Sequence, residues 1–323
     1  MREHVTWVAV TVFLLGTPCL CGCVRGGFDP LTSVTADGLT DLPRDSTDSP
    51  EGSAIKPDFS PDALGPFGPP QLIAEFVDQN AECDDPTLTS DGLEIYFNKE
   101  IYANTEYQIF KSTRSSLLGP WTPPVQVMEL SGVGESNPAI TADGLTLYFS
   151  RGGTWDLWVT TRMTRSTTWS APIELSHLNS ETYKDLVGSV DGSHLFLWFS
   201  SDRLGSNDVH DLFLSTRATT ADTWEAPAPV VELNTVATDE RSAWSNAGAT
   251  VLYFVSDREG GLGGLDVYRT QRASSTAPFD PPALIGELNS PDAEDDPWLS
   301  DDQRTIYFSS NRSGIGQLYK ATR

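Results

Sequence analysis

Basic residues are scarce in this chain: 21 Lys and Arg stand against 45 Asp and Glu, giving a formal net charge of −24 and a pI near 4.3. Such a balance repels phosphate backbones and anionic headgroups, which excludes nucleic acid as a partner and membrane binding through charge. Cysteine is almost missing. Of four, Cys19, Cys21 and Cys23 crowd the N-terminus, which leaves Cys83 without an intrachain partner and excludes a disulfide framework. Stability must then come from a core, which a chain of 323 residues is long enough to build. The four histidines, His4, His177, His194 and His210, show no metal-ligand spacing. No glycine-rich loop leads into Lys-Ser or Lys-Thr, so Gly260 to Gly264 reads as a plain loop. Long hydrophobic runs are lacking as well, and the one apolar run, Val5 to Leu15, is too short to span a bilayer.

That run follows Arg2 and has the form of an export signal. Leu20-Cys21-Gly22-Cys23 after it resembles the bacterial lipobox, in which the cysteine behind a small residue is acylated. The resemblance implies a leader over residues 1–22, lipidation at Cys23, and an exported protein anchored on the periplasmic or outer-membrane face. Residues 23–66 are rich in Pro, Ser, Asp, Thr and Gly without an apolar period, the composition of a flexible tether.

From residue 67 a unit recurs about every 50 residues, the spacing of propeller blades. Each unit has a turn before an aromatic strand, as Asp91-Gly92 precedes Ile95-Tyr96-Phe97 and Asp143-Gly144 precedes Leu147-Tyr148-Phe149. Each has a further strand that ends in arginine: Arg114, Arg162, Arg217, Arg272 and Arg323. An aromatic three positions before proline then opens a short apolar strand, at Trp121, Trp169, Trp224 and Phe279. After Arg323 that last element has no room, and its counterpart stands at the other end, at Phe67 with Pro70. The expectation is an all-β, five-bladed propeller of four-stranded blades over residues 67–323, closed by its N-terminal strand, which leaves no open sheet edges. A six-bladed or open array is the alternative.

Ser201-Asp202-Arg203, Ser256-Asp257-Arg258 and Ser310-Asn311-Arg312, each followed by a strand such as Asp211-Leu212-Phe213, complete the pattern. On these residues the repeats resemble the TolB-type, WD-repeat-like propellers of bacterial envelopes. The resemblance implies a monomeric binding scaffold with an envelope protein, peptide or glycan as partner, and it supplies no catalytic residues.

Polar clusters precede the inner strands: Glu82, Asp84 and Asp85; Glu135 and Asn137; Asp185; Glu240; and Glu294, Asp295 and Asp296. Inner strands line a propeller's channel, so these ten residues are expected at one of its mouths. A ring of carboxylates there suits Ca²⁺; the alternative is that each acid caps donors within its own blade. No other cofactor is implied. A non-enzymatic binding module is the leading expectation. The alternative is a carbohydrate-active hydrolase using Asp85, Asp185 and Asp296, read as equivalent positions of the repeat.

Overall fold

The computed structural model describes residues 64–323 apart from 102–105, 131, 133 and 205–208. The leader, Cys23 and nearly all of the tether lie outside the described residues.

Five antiparallel four-stranded sheets form the blades of a propeller. The first blade is β2 (Ala81–Leu88), β3 (Glu94–Ile101), β4 (Glu106–Thr113) and β5 (Val125–Gln126), and the second is β6 (Glu135–Ile140), β7 (Thr146–Arg151), β8 (Asp156–Thr161) and β9 (Ile173–Glu174). The third comprises β10 (Asp185–Val190), β11 (Phe196–Ser201), β12 (Asp211–Thr216) and β13 (Ala228–Pro229). In the fourth are β14 (Glu240–Ser245), β15 (Val251–Ser256), β16 (Asp266–Gln271) and β17 (Ala283–Leu284). The fifth joins β18 (Glu294–Leu299), β19 (Thr305–Ser310) and β20 (Gln317–Thr322) to β1 (Gln71–Leu72), from the other end of the sequence.

Local chemistry explains the repeated hairpins. In the first, Asp91 Oδ1 accepts from the Thr89 hydroxyl at 2.7 Å and from the Leu93 amide at 3.1 Å, while Gly92 supplies a φ of 64°. Asp143 and Asp302 repeat this arrangement. The second strand of each blade is apolar on both faces because blades cover it on both sides. Ile95, Tyr96 and Phe97 are fully buried, as are Leu197, Trp198 and Phe199.

The strand-ending arginines join blades. Arg162 donates Nε to Gly144 O at 2.7 Å and lays its guanidinium 4.4 Å from the centroid of Trp169. Trp169 in turn meets Tyr96 of the preceding blade edge-on at 6.1 Å. Arg114 on Trp121, Arg217 on Trp224 and Arg272 on Phe279 repeat the stack at 4.2 to 4.3 Å. The fifth copy is Arg323 on Phe67 at 4.2 Å, whose two halves lie at opposite ends of the folded body.

Closure follows the expected pairing. Gln71 sits opposite Lys320 and Leu72 opposite Tyr319, flanked by hydrogen bonds from Gly68 N to Thr322 O at 2.8 Å and from Ile73 N to Leu318 O at 2.9 Å. Replacing Phe67 by Ala empties a core site and removes one stack, so a loss of about 3 kcal/mol in urea unfolding is expected. A Phe67→Ala/Arg323→Gln cycle should show a coupling of about 1 kcal/mol; additive effects would refute the stack as the latch.

Candidate functional site

Every inner strand breaks register near its start, and the break aims side chains into the channel. In β2 it falls between Asp84 and Thr87, in β6 between Ser136 and Ala139, in β14 between Arg241 and Trp244, and in β18 between Asp295 and Trp298. The central residue of each, Asp85, Asn137, Ser242 or Asp296, has a φ of 51 to 55°. Non-glycine residues accept this conformation at a cost, least so Asn and Asp. Three of the four precede proline, which disfavours the helical region further. The third blade departs from the pattern, with a one-residue break at Gly188. A Cβ on Gly188 would lie 2.9 Å from the Ala243 carbonyl of the next blade, so the backbones themselves meet there.

A cavity of about 290 Å³ opens above these breaks, lined by residues of all five blades. Asp84, Asp85, Asp295 and Asp296 gather on one side. Asp85 is held by the Ser136 hydroxyl at 3.1 Å and by Asn137 through its amide at 3.1 Å and Nδ2 at 2.8 Å. Its own backbone N–H donates to Asp296 Oδ2 at 3.2 Å, across the seam between first and last blades. The Ser309 hydroxyl donates to the same Asp296 oxygen at 2.9 Å, and the Ser242 hydroxyl stands 2.8 Å from an oxygen of both Asp295 and Asp296.

The acids differ in their neighbours. Asp295 faces Arg241, whose Nη2 lies 2.5 Å from Oδ2, and Arg241 also reaches Asp239 at 3.4 Å. Among the described residues Asp84 forms no ion pair, and its buried Oδ1 has no hydrogen-bond partner. Burial first, then the charges of Asp296 and Asp295, lift the Asp84 carboxyl well above the usual carboxylate range. Burial also lifts Asp85, Asp295 and Asp296 to about 7, opposed at Asp295 by Arg241 and reinforced at Asp296 by Asp85. Burial disfavours the charge on Arg241, yet Asp295 and Asp239 outweigh it and hold the guanidinium firmly protonated.

His210 lines the same cavity, with Nδ1 3.0 Å from Asp239 Oδ1 and a buried Nε2 that has no partner among the described residues. Tyr107 and Trp155 form an edge-to-face pair at the rim, 5.3 Å between centroids. Trp155 and His210 each stand one residue before the third strand of their blade and Tyr107 is the second residue of β4, each just ahead of the repeated position held by Gln108, Asp156 or Asp211. That shared place is their signal in the sequence, and it does not depend on charge.

Five of the ten expected site residues line this cavity: Asp84, Asp85, Asn137, Asp295 and Asp296. Glu135, Asp185, Glu240 and Glu294 do not. They are almost completely buried inside their own blades and pair with Arg151, Arg203, Arg258 and Arg312. Glu294 also accepts from the Ser290 amide at 2.7 Å and the Ser310 hydroxyl at 2.8 Å, so these acids hold turns. Glu82 is half-buried beside Gly316. Asp185 is therefore not equivalent to Asp85 and Asp296: it occupies the register of Glu240 and Glu294, two residues earlier and ahead of the break that turns the later position into the channel. Among the described residues no group of three or more His, Cys, Asp or Glu is arranged to hold a metal ion. The five-fold ring of carboxylates is not assembled.

No family model and no curated protein matches the chain. Its similarities are of shape. An endo-arabinase from Bacteroides thetaiotaomicron superposes with a TM-score of 0.52 at 12% identity, over 80% of this chain and 98% of that one. A family 117 glycoside hydrolase of the marine bacterium Zobellia galactanivorans gives 0.52 at 13% identity, over 80% and 90%. These likenesses establish the five-bladed propeller, without singling out TolB or WD-repeat proteins. They also correct the expectation of a non-enzymatic scaffold, since such neighbours favour its carbohydrate-active alternative.

The raised carboxyls fix how stability responds to pH. Asp85, Asp295 and Asp296 keep protons up to about 7 in the folded chain, against an ordinary value of 3.8. Between those values the folded form binds more protons, so its stability falls as pH rises. The thermal midpoint should drop from about pH 5 to about pH 8, and drop less in Asp85→Asn. A flat or rising profile would contradict the clustering of acids.

Proposed function

We propose that the protein is a carbohydrate-active hydrolase that cleaves glycosidic bonds in the central cavity. The observation that carries the reading is the asymmetry between Asp84 and Asp295. Glycoside hydrolysis needs one carboxyl that keeps its proton and one that has lost it. Asp84, surrounded by carboxylates and without a hydrogen-bond partner on Oδ1, suits the proton donor to the leaving oxygen. Asp295, facing Arg241 and Ser242, suits the ionised partner, as base on water or as nucleophile. Asp85 and Asp296 hold the two inner strands that carry them. Asp185, tied to Arg203 inside its blade, has no part in the chemistry. The Tyr107 and Trp155 rings offer apolar faces for sugar C–H groups, and His210 Nε2 a polar contact for a hydroxyl.

Among the partners expected, a glycan fits this cavity. The endo-arabinase likeness makes arabinan the first polysaccharide to try. The TolB-type likeness of the repeats is read as a rule for building blades. We place the protein outside the cytoplasm, held through Cys23; Cys23→Ser should move it from the detergent phase to the aqueous phase in detergent partitioning.

Reducing-end assays on a polysaccharide panel test the reading. Asp84→Asn and Asp295→Asn should each lower kcat by about 10²- to 10⁴-fold. Asp185→Asn should keep kcat while losing about 3 kcal/mol of stability, as expected for a broken buried ion pair. If neither cavity variant loses activity, the assignment fails. Activity should rise as Asp295 ionises near 7 and fall at higher pH as Asp84 loses its proton. Arg241→Gln should move the lower limb upward, because the guanidinium is what favours the ionised Asp295.

A further inference from the structure

The repeat permits comparison of one blade interface with another. Where the first and second blades meet, Glu94 is a buried carboxylate between two cations, 2.7 Å from Arg162 Nη2 and 3.1 Å from Lys111 Nζ. The Tyr96 hydroxyl completes the cluster, donating to the same oxygen at 3.2 Å. All four groups are accounted for.

The same register recurs where the fifth blade meets the first. Tyr307 stands for Tyr96 and Lys320 for Lys111, since each tyrosine pairs with its lysine across the second and third strands. Arg114 stands for Arg162, each ending the third strand of the following blade. Glu94 has no counterpart: its position, opposite the last residue of the third strand, is held by Thr305. Two cations and a tyrosine are present without the carboxylate that joins them.

A cavity of about 520 Å³ fills the place, lined by Arg114, Tyr307, Lys320 and Thr305 with Leu117 and Leu118 as an exposed apolar wall. Tyr307 is 1% exposed, and its hydroxyl lies beside the Arg114 guanidinium without a hydrogen bond of good geometry among the described residues. Arg114 commits Nε to Gly92 O and Nη1 to Leu117 O. Among the described residues neither Arg114 nor Lys320 forms an ion pair. The acids at the mouth are Asp91, Asp301 and Asp302. Asp91 is taken by Thr89, Leu93 and Arg165, and Asp302 by Ser300 and Arg304, while Asp301 sits exposed at the lip. Burial and the neighbouring Arg114 push the Lys320 ammonium down, the condition an incoming anion would relieve. The cavity lies by the Asp91-Gly92 turn, at the other end of the inner strands from Asp84 and Asp85.

We propose that this seam cavity is a second ligand site, which takes a small organic carboxylate with an apolar body: the carboxylate replaces the missing Glu94 counterpart between Arg114, Lys320 and Tyr307, and the body rests on Leu117 and Leu118. The site does not depend on the hydrolase reading of the central cavity.

Thermal shift and calorimetry on the full chain test it with 4-phenylbutyrate, the uncharged 4-phenylbutyramide and inorganic phosphate at millimolar concentration. The carboxylate should raise the midpoint, with the amide and phosphate at least about tenfold weaker, the discrimination expected when a charged group meets a paired site. Thr305→Glu, which restores the carboxylate from within, should raise the midpoint of the free protein and abolish the ligand effect. Lys320→Met should abolish the effect without restoring the midpoint. No shift with 4-phenylbutyrate, an equal shift with the amide, or binding that survives both substitutions would overturn the proposal.

Discussion

The pairing of β1 with β20 is the contact on which the rest of the molecule depends. Two residues of strand, flanked by the Phe67–Arg323 stack, turn a row of five sheets into a ring. A row would bury less and leave two unpaired edges. More consequentially, the ring brings the first and last blades together, and the hydrogen bond from Asp85 N to Asp296 Oδ2 exists only because they meet. Both cavities take residues from these two blades, so closure shapes the cavities as well as stabilising the ring.

The repeat assigns similar side chains to different tasks according to register. In four of the five inner strands one residue is turned inward by a left-handed bulge, and in the second, fourth and fifth blades the acid two places before it is turned into the blade, as Asp185 is in the third. The inward set has diverged: Asp85, Asn137, Ser242 and Asp296 share a backbone conformation but little chemistry. The inner set has not, and Glu135, Asp185, Glu240 and Glu294 all meet an arginine of the next strand or the turn beyond it. Keeping one role in four of the five blades is what a structural pair does, whereas the inward positions have taken side chains of different chemistry.

Much of the fold was legible because blade chemistry is local. Asp-Gly turns, alternating aromatic strands and the aromatic-to-proline spacing are short-range patterns, and the displaced Phe67-to-Pro70 element revealed closure. The site was half legible. Asp84, Asp85, Asn137, Asp295 and Asp296 stood out as polar residues before inner strands, but so did four acids that face the blade interior. Distinguishing them required the register of each strand, which a two-residue bulge obscures. His210 and Trp155 carry only their shared place ahead of the third strand as a sequence signal, and the ring alone brings them to the cavity that holds the acids.

By itself the sequence determined the number of blades, their strand order and the partner of the N-terminal strand, since each rests on residues close together or on one missing repeat element. Tertiary structure alone decided which carboxyls are lifted above the usual carboxylate range. That depends on Arg241 of the fourth blade lying beside Asp295 of the fifth and on Asp84 of the first lying near Asp295 and Asp296, distances that close across blades rather than along the chain.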